Sequence, residues 1–323
     1  VNYGLPYMGS KNLIAKTIID ALPCASTFVD LFAGGCAITH AAMLSNKYGG
    51  FIANDLSDTP QLFLDAVAGK FENERRWISR EDFFVLKDSD PYVRTVWSFG
   101  NNGKDYMYSR EVEPWKRALH YARVLGDLSP MREFGIDTDG SSADIRAHHD
   151  EYKLKYTSWY GENVSLQSLQ RLQRLQSLQS LQSLQRLQSL QSLQSLQSLQ
   201  RLQSLQSLQR LQSLQVHRLD YRDVKIPSGS LVYADPPYRG TDGYVCGSFN
   251  HDAFYEWCLE QPFDIYISEY SMPSDFHEVL AIPHRSRISG TVNNAVVERL
   301  YCNHPRQRFG QLDFLGQLFA EAV

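Results

Sequence analysis

A carboxylate, two prolines and an aromatic ring stand in a row at Asp235-Pro236-Pro237-Tyr238. The apolar run Ser230–Ala234 before them predicts a strand. The four residues then fall at its C-terminal end, the edge where open α/β sheets bind ligands. Together they can grip a planar amine conjugated to an aromatic ring. Such an amine is a poor nucleophile because its lone pair is delocalised. Two acceptors, one on each amine hydrogen, favour a pyramidal nitrogen with its lone pair freed. Asp235 supplies one and the Pro236 carbonyl the other, and the consecutive prolines restrict the backbone that presents it. Tyr238 can stack on the ring that carries the amine. The catalytic contribution is positioning and electrostatics. A plain turn also accommodates Pro-Pro, so the tetrapeptide must be weighed with its surroundings.

A second chemical feature lies near the start of the chain. Phe28-Val29-Asp30-Leu31-Phe32-Ala33-Gly34-Gly35 reads as a strand running into a glycine turn. Gly34 and Gly35 let the backbone approach a ligand closely. Ile52-Ala53-Asn54-Asp55 ends the next strand with a carboxylate about 20 residues further on, a placement that suits ribose hydroxyls in doubly wound nucleoside sites. Each piece has a plainer reading, as an ordinary strand-to-helix turn or as a loop aspartate capping a helix.

The elements that must position these residues are legible as apolar periodicities. Strands are predicted at Thr27–Phe32, Gly50–Asn54, Val216–Leu219, Ser230–Ala234 and Asp264–Ser268. Helices are predicted at Asn12–Leu22, Ala37–Leu44, Asp252–Gln261 and Pro273–Ala281. The pattern implies a doubly wound, mostly parallel α/β sheet encoded by residues 1–69 and 216–323. Residues 70–164, richer in charged and aromatic side chains, form an insert expected to be helical. Residues 165–215 are an uninterrupted triplet repeat, Ser/Arg-Leu-Gln, with leucine at every middle position. A period of three slips by about 60° per repeat around an α-helix, so the leucines circle it rather than forming one stripe. An α-helix and a tight solenoid with leucines inward both remain open for this projection.

Composition bounds the function. The 323 residues carry a formal net charge of -4, so a nucleic-acid partner would require positive charge gathered on one face. The five cysteines, Cys24, Cys36, Cys246, Cys258 and Cys302, show no CxxC spacing, which argues against a structural zinc site and a disulfide framework and for a reducing cytoplasm. The pair His148-His149 lacks companion ligands at metal-binding spacing, so no metal is expected. No apolar run approaches the about 18 residues of a membrane span, and the N-terminal residues show no signal-peptide pattern.

The ordered set Pro6-Tyr7-Met8-Gly9-Ser10-Lys11, Asp30-Leu31-Phe32-Ala33-Gly34-Gly35, Asn54-Asp55, Asp220-Tyr221, Asp235-Pro236-Pro237-Tyr238 and Ile267-Ser268-Glu269-Tyr270 resembles the Dam-like, D12-class family of DNA adenine methyltransferases. The resemblance covers residues 1–68 and 216–323. It implies an S-adenosylmethionine (SAM)-dependent methyltransferase fold and methyl transfer to the exocyclic amine of an adenine flipped out of double-stranded DNA. It further implies that Tyr7, Lys11, Asp30, Phe32, Gly34, Gly35 and Asp55 line the SAM pocket and that Asp220 and Tyr221 hold the SAM adenine. Asp235, Pro236, Pro237 and Tyr238 would hold the target base. Because the methyl donor is a sulfonium, no base of low pKa is needed. Two departures from the family pattern are Cys36, where a third glycine is common, and Tyr7, where tryptophan is common.

In that family the target-recognition domain occupies the place of the insert. Within it Trp97, Asn101, Asn102, Lys104 and Arg110 are candidates for DNA contact, since amides read adenine edges and cations bind phosphate. The bland alternative is that the tryptophan is core and the charges are a solvated face. Two other functions stay open at this point: amino methylation of cytosine, RNA or glutamine, and a non-catalytic SAM- or DNA-binding protein with a repeat-built arm.

Overall fold

The computed structural model describes residues 3–7, 9–135, 213–239, 249–286 and 294–305. The triplet repeat up to residue 212, the pair His148-His149 and Cys246 lie outside the described residues. The chain divides into two compact units, one of residues 1–71, 201–288 and 292–323, the other of residues 72–200 and 289–291.

The first unit is built on a seven-stranded sheet of β1 (Thr27–Asp30), β2 (Gly50–Asn54), β3 (Leu214–His217), β4 (Ser230–Ala234), β5 (Ile265–Glu269), β6 (His277–Ser286) and β7 (Asn294–Cys302), in the order β3-β2-β1-β4-β5-β7-β6. The pairs from β3 through β5 are parallel, and β7 runs antiparallel to both its neighbours. β1 and β4 are buried from their second residue onward, because strands covered on both faces are continuous apolar runs. The strand order reverses between β1 and β4, the kind of switch point at whose C-terminal ends open α/β sheets bind ligands. Helices α1 (Ala15–Ala21), α2 (Ala37–Leu44) and α3 (Thr59–Val67) belong to this unit. The core of the C-terminal half packs Val29, Leu31, Ile52, Val232, Ile265 and Ile267 with Tyr221 and Phe254.

The second unit contains α4 (Arg80–Leu86), α5 (Pro91–Val96), α6 (Glu113–His120) and α7 (Ser129–Glu133). Ser79 and Asp82 form a reciprocal capping box on α4, and Asp90 caps α5 just before Pro91. A ring cluster of Trp77, Trp97, Tyr108 and His120 fills its interior.

Two elements depart from the sequence reading. Pro273–Ala281, expected as a helix, is instead the approach to β6 and its first residues. Phe276, Val279 and Ile282 are buried at intervals of three, which mimics a helical face. The interval arises from a β-bulge between Glu278 and Leu280, which shifts the alternation of the strand. Pro283 is tolerated because β6 is an edge strand. The other departure is β3, which starts at Leu214, inside the last triplet of the repeat, and pairs Leu214 with Phe51 and Gln215 with Ile52.

Helix α8 (His251–Glu260) precedes β5 and carries Phe254, Tyr255 and Cys258 into the core, with Asn250 capping its start. Among the described residues no helix is long and apolar enough to cross a membrane, and no cluster of three potential metal ligands occurs.

Candidate active site

The sheet brings three strand ends together. Asp30 ends β1, Asp235 follows β4, and Glu269 ends β5. Strand β7 contributes Glu298, and the N-terminal arm contributes Lys11.

Around Asp235 the charges are matched sparingly. Lys11 Nζ lies 2.9 Å from Asp235 Oδ1 and 3.6 Å from Glu298 Oε1. The same ammonium sits 4.4 Å from the centroid of the Tyr238 ring, a cation–π contact. The Tyr238 hydroxyl donates to Glu298 Oε1, and the edge of Tyr270 meets the ring at 4.7 Å between centroids. Burial pushes the Asp235 carboxyl up, and Lys11 pulls it back towards the ionised form. His251 Nε2 donates to the Pro237 carbonyl at 2.7 Å and pins the tetrapeptide to the start of α8. Among the described residues nothing donates to the Pro236 carbonyl oxygen. That oxygen and Asp235 are the two acceptors an amine would need.

Beside this cluster lies a glycine cradle. Gly34 has φ +47°, and a Cβ there would lie 2.9 Å from Tyr7 Cε1. A Cβ on Gly35 would lie 2.6 Å from Tyr7 Cβ and 3.0 Å from the Leu5 carbonyl oxygen. Tyr7 thus packs on bare backbone, and only glycine fits beneath it. Leu5 N–H donates to the Gly35 carbonyl at 2.6 Å, tying the arm to the turn. Cys36 follows at φ 57°, a left-handed conformation that favours glycine, and its side chain is fully buried.

Asp30 is buried and its carboxyl is pushed up to about 7 by burial, against the lowering effect of Thr39. Thr39 Oγ1 donates to Asp30 Oδ2 at 2.7 Å, while Oδ1 has no well-formed hydrogen bond among the described residues. An orphaned buried acceptor beside a glycine cradle fits a ligand with polar donors. Asp55 shapes the cradle directly: Oδ2 accepts from Gly34 N–H at 2.9 Å and Oδ1 from Ser57 N–H at 2.8 Å. Phe32 and Tyr221 pack ring against ring at 5.5 Å, joined by Phe249 and Phe254. Asp220 binds its own turn and its neighbour, accepting from Arg222 N at 3.0 Å and from Arg222 Nε at 2.7 Å. The Arg222 hydrogen bond holds its carboxyl below the usual carboxylate range.

Lys11, expected among the cofactor residues, contacts Asp235 and the Tyr238 ring. Two carboxylates had no assigned role in the sequence reading. Glu298 is 2% exposed and binds Tyr238. Glu269 is also buried, and burial pushes it up to about 7; its Oε1 accepts from Tyr270 N–H at 2.8 Å. The signal for Glu298 was its place in alternation, since Glu298 and Leu300 are buried while Val297 and Arg299 are not. Asn54 has a structural role of its own beside Asp55. Its amide reaches the Leu31 carbonyl at 3.1 Å and the Leu219 carbonyl at 3.0 Å, so it ties the segments following β1 and β3.

The candidates for DNA contact lie in the second unit. Trp97 is corrected: it is 1% exposed, packs on Trp77 and His120, and directs Nε1–H at the Tyr92 hydroxyl, so no ring face is open to a base. Large apolar rings at the start of a loop anchor it by burial. Asn101 donates to the Thr95 carbonyl, and Asn102 accepts from the Lys104 and Asp105 amides. These amides build the loop. Lys104 and Arg110 are exposed.

No curated protein matches the chain. Residues 7–125 match the model of the D12 class N6 adenine-specific DNA methyltransferases; the tetrapeptide lies beyond the matched stretch. The family and the geometry agree on the chemistry of an amine, and over residues 7–125 the chain is similar to the D12 class of N6 adenine-specific DNA methyltransferases.

Proposed function

We propose that the crevice at the β1–β4 switch point is where a flipped-out adenine meets bound SAM, and that Asp235, Pro236, Pro237 and Tyr238 receive the base. The carboxylate of Asp235 and the carbonyl of Pro236 take the two amine hydrogens, and Tyr238 flanks the ring. The proton left over after transfer departs from the amine towards Asp235. When bound, SAM supplies the methyl group from its sulfonium.

The chain's residues fit such a ligand. Gly34 and Gly35 let Tyr7 pack on bare backbone at the turn, Asp30 Oδ1 has no well-formed hydrogen bond among the described residues, and Phe32 and Tyr221 form an aromatic wall. Asp55 shapes the cradle through Gly34, and Asp220 would receive a donor only by sharing its oxygens with Arg222. The observation that carries the reading is the placement of Asp235 at the end of β4, beside β1 with its buried Asp30.

The catalytic domain in this reading is discontinuous, residues 1–69 and 216–323. The insert 70–164 recognises double-stranded DNA through exposed cations such as Lys104 and Arg110, and residues 165–215 are a projection outside the chemistry. Buried free thiols at Cys36, Cys258 and Cys302 suit a cytoplasmic enzyme.

The test is Asp235→Ala, with SAM affinity by isothermal titration and tritiated methyl transfer to unmethylated DNA. Transfer should fall by about a hundredfold or more, with SAM affinity within a few-fold. Loss of SAM binding with transfer intact per bound cofactor would place Asp235 in the cofactor pocket instead.

A further inference from the structure

We propose that Glu298 is a positioning residue for methyl transfer, fixing the Tyr238 ring and giving Lys11 a second anchor when the target amine takes Asp235. The inference rests on the reading that the tetrapeptide receives the base.

A buried carboxylate is costly unless its charge is matched. Glu298 is 2% exposed and meets the Tyr238 hydroxyl and the Lys11 ammonium, the latter at 3.6 Å. Lys11 is nearer to Asp235, at 2.9 Å, and lies 4.4 Å from the Tyr238 centroid. One ammonium therefore serves two carboxylates and one ring.

That arrangement has a further meaning. A nitrogen donating to Asp235 over the face of Tyr238 is what a bound adenine would present. The Lys11 ammonium stands at the station of the target amine, and it must yield for the base to enter. Glu298 Oε1 is the acceptor already within reach. Moving Lys11 from a shared pair onto Glu298 keeps the ammonium and Glu298 paired, and the neutral amine then leaves Asp235 hydrogen-bonded in place of its ion pair. The bond from Tyr238 to Glu298 meanwhile holds the ring in place as Lys11 leaves its face.

The test uses the full chain, bulk unmethylated DNA and tritiated SAM. Glu298→Ala removes the acceptor and the charge; Glu298→Gln keeps the acceptor and removes the charge. We expect kcat to fall about a hundredfold in E298A and about tenfold in E298Q, with the KM for SAM within about threefold of wild type. Added to Tyr238→Phe, which already lacks the hydroxyl, E298A should cost far less than it does alone. Wild-type kcat in E298Q, or losses that multiply fully in the double variant, overturns the inference. E298Q preserves shape and carries the test by itself if E298A does not fold. An inactive D235A with a fully active E298Q sinks this inference alone, whereas an active D235A sinks the reading beneath it.

Discussion

Asn54 and Leu219, 165 residues apart in the chain, exchange two hydrogen bonds: Leu219 N–H donates to Asn54 Oδ1 at 3.0 Å, and Asn54 Nδ2 donates to the Leu219 carbonyl at 3.0 Å. A third bond from Asn54 reaches the Leu31 carbonyl. Asn54→Leu would leave three backbone groups short of partners at a site that is 1% exposed. We expect a loss of about 2–4 kcal/mol in unfolding free energy, read by urea denaturation. SAM affinity should weaken as well, because Asp220 follows Leu219 directly. Unchanged stability would show that these bonds are replaced by water.

Gly35→Ala places a Cβ 2.6 Å from Tyr7 Cβ, and the Leu5 backbone blocks retreat. The arm must lift. The expected result is a folded protein whose SAM affinity falls by about tenfold or more, from overpacking worth about 1–3 kcal/mol, measured by isothermal titration.

Cys36 occupies a left-handed conformation with no exposed surface. A β-branched side chain there adds strain to crowding, so Cys36→Val should lower stability by more than about 2 kcal/mol. Cys36→Gly should stay within about 1 kcal/mol of wild type, since relief of strain offsets the lost thiol packing. Thermal unfolding of both variants separates the two effects.

Asp30 and Glu269 are each pushed up to about 7 by burial. A raised carboxylate binds its proton in the folded chain while the unfolded chain has released it. Its contribution is therefore fully present below about pH 4 and is lost as pH rises towards about 7. Glu269→Gln keeps the acceptor for Tyr270 and cannot ionise. Its stability should fall less steeply than wild type between pH 5 and 7, by up to about 1.4 kcal/mol per pH unit. Parallel stability–pH curves would refute the assignment.

Removing triplets between residues 168 and 212 should leave transfer intact, on the reading that the repeat lies outside the chemistry. Extending the deletion through Gln215 removes half of β3 and its register with Phe51 and Ile52. That longer deletion should unfold the edge of the sheet. A short deletion that folds but is inactive would show that the repeat takes part in the reaction; DNA affinity against salt would show whether its arginines contact phosphate.

Much of the scaffold was legible because its signals are local. Gly50–Asn54 and Ser230–Ala234 are apolar runs between turn residues, and the bounds of α2 coincide with the expected Ala37–Leu44. The strand at residues 277–286 was hidden because a bulge gave it helical spacing. Glu298 was hidden for a different reason: its partners, Lys11 and Tyr238, are far away in the chain, and only the order of strands brings them together. The indole of Trp97 sits among aromatic and amide residues in the sequence, yet it is core. Composition names the residue types near a loop and does not say which of them faces water.

The sheet order carries a last consequence. β1 and β2 come from the first stretch of the chain, and they lie between β4 and β3, both from the last. Neither stretch can complete a sheet by itself, and each presents open edges that the other fills. Severing the backbone between residues 135 and 213 cuts none of the described strands, so two fragments mixed in solution should reassemble into one interleaved enzyme.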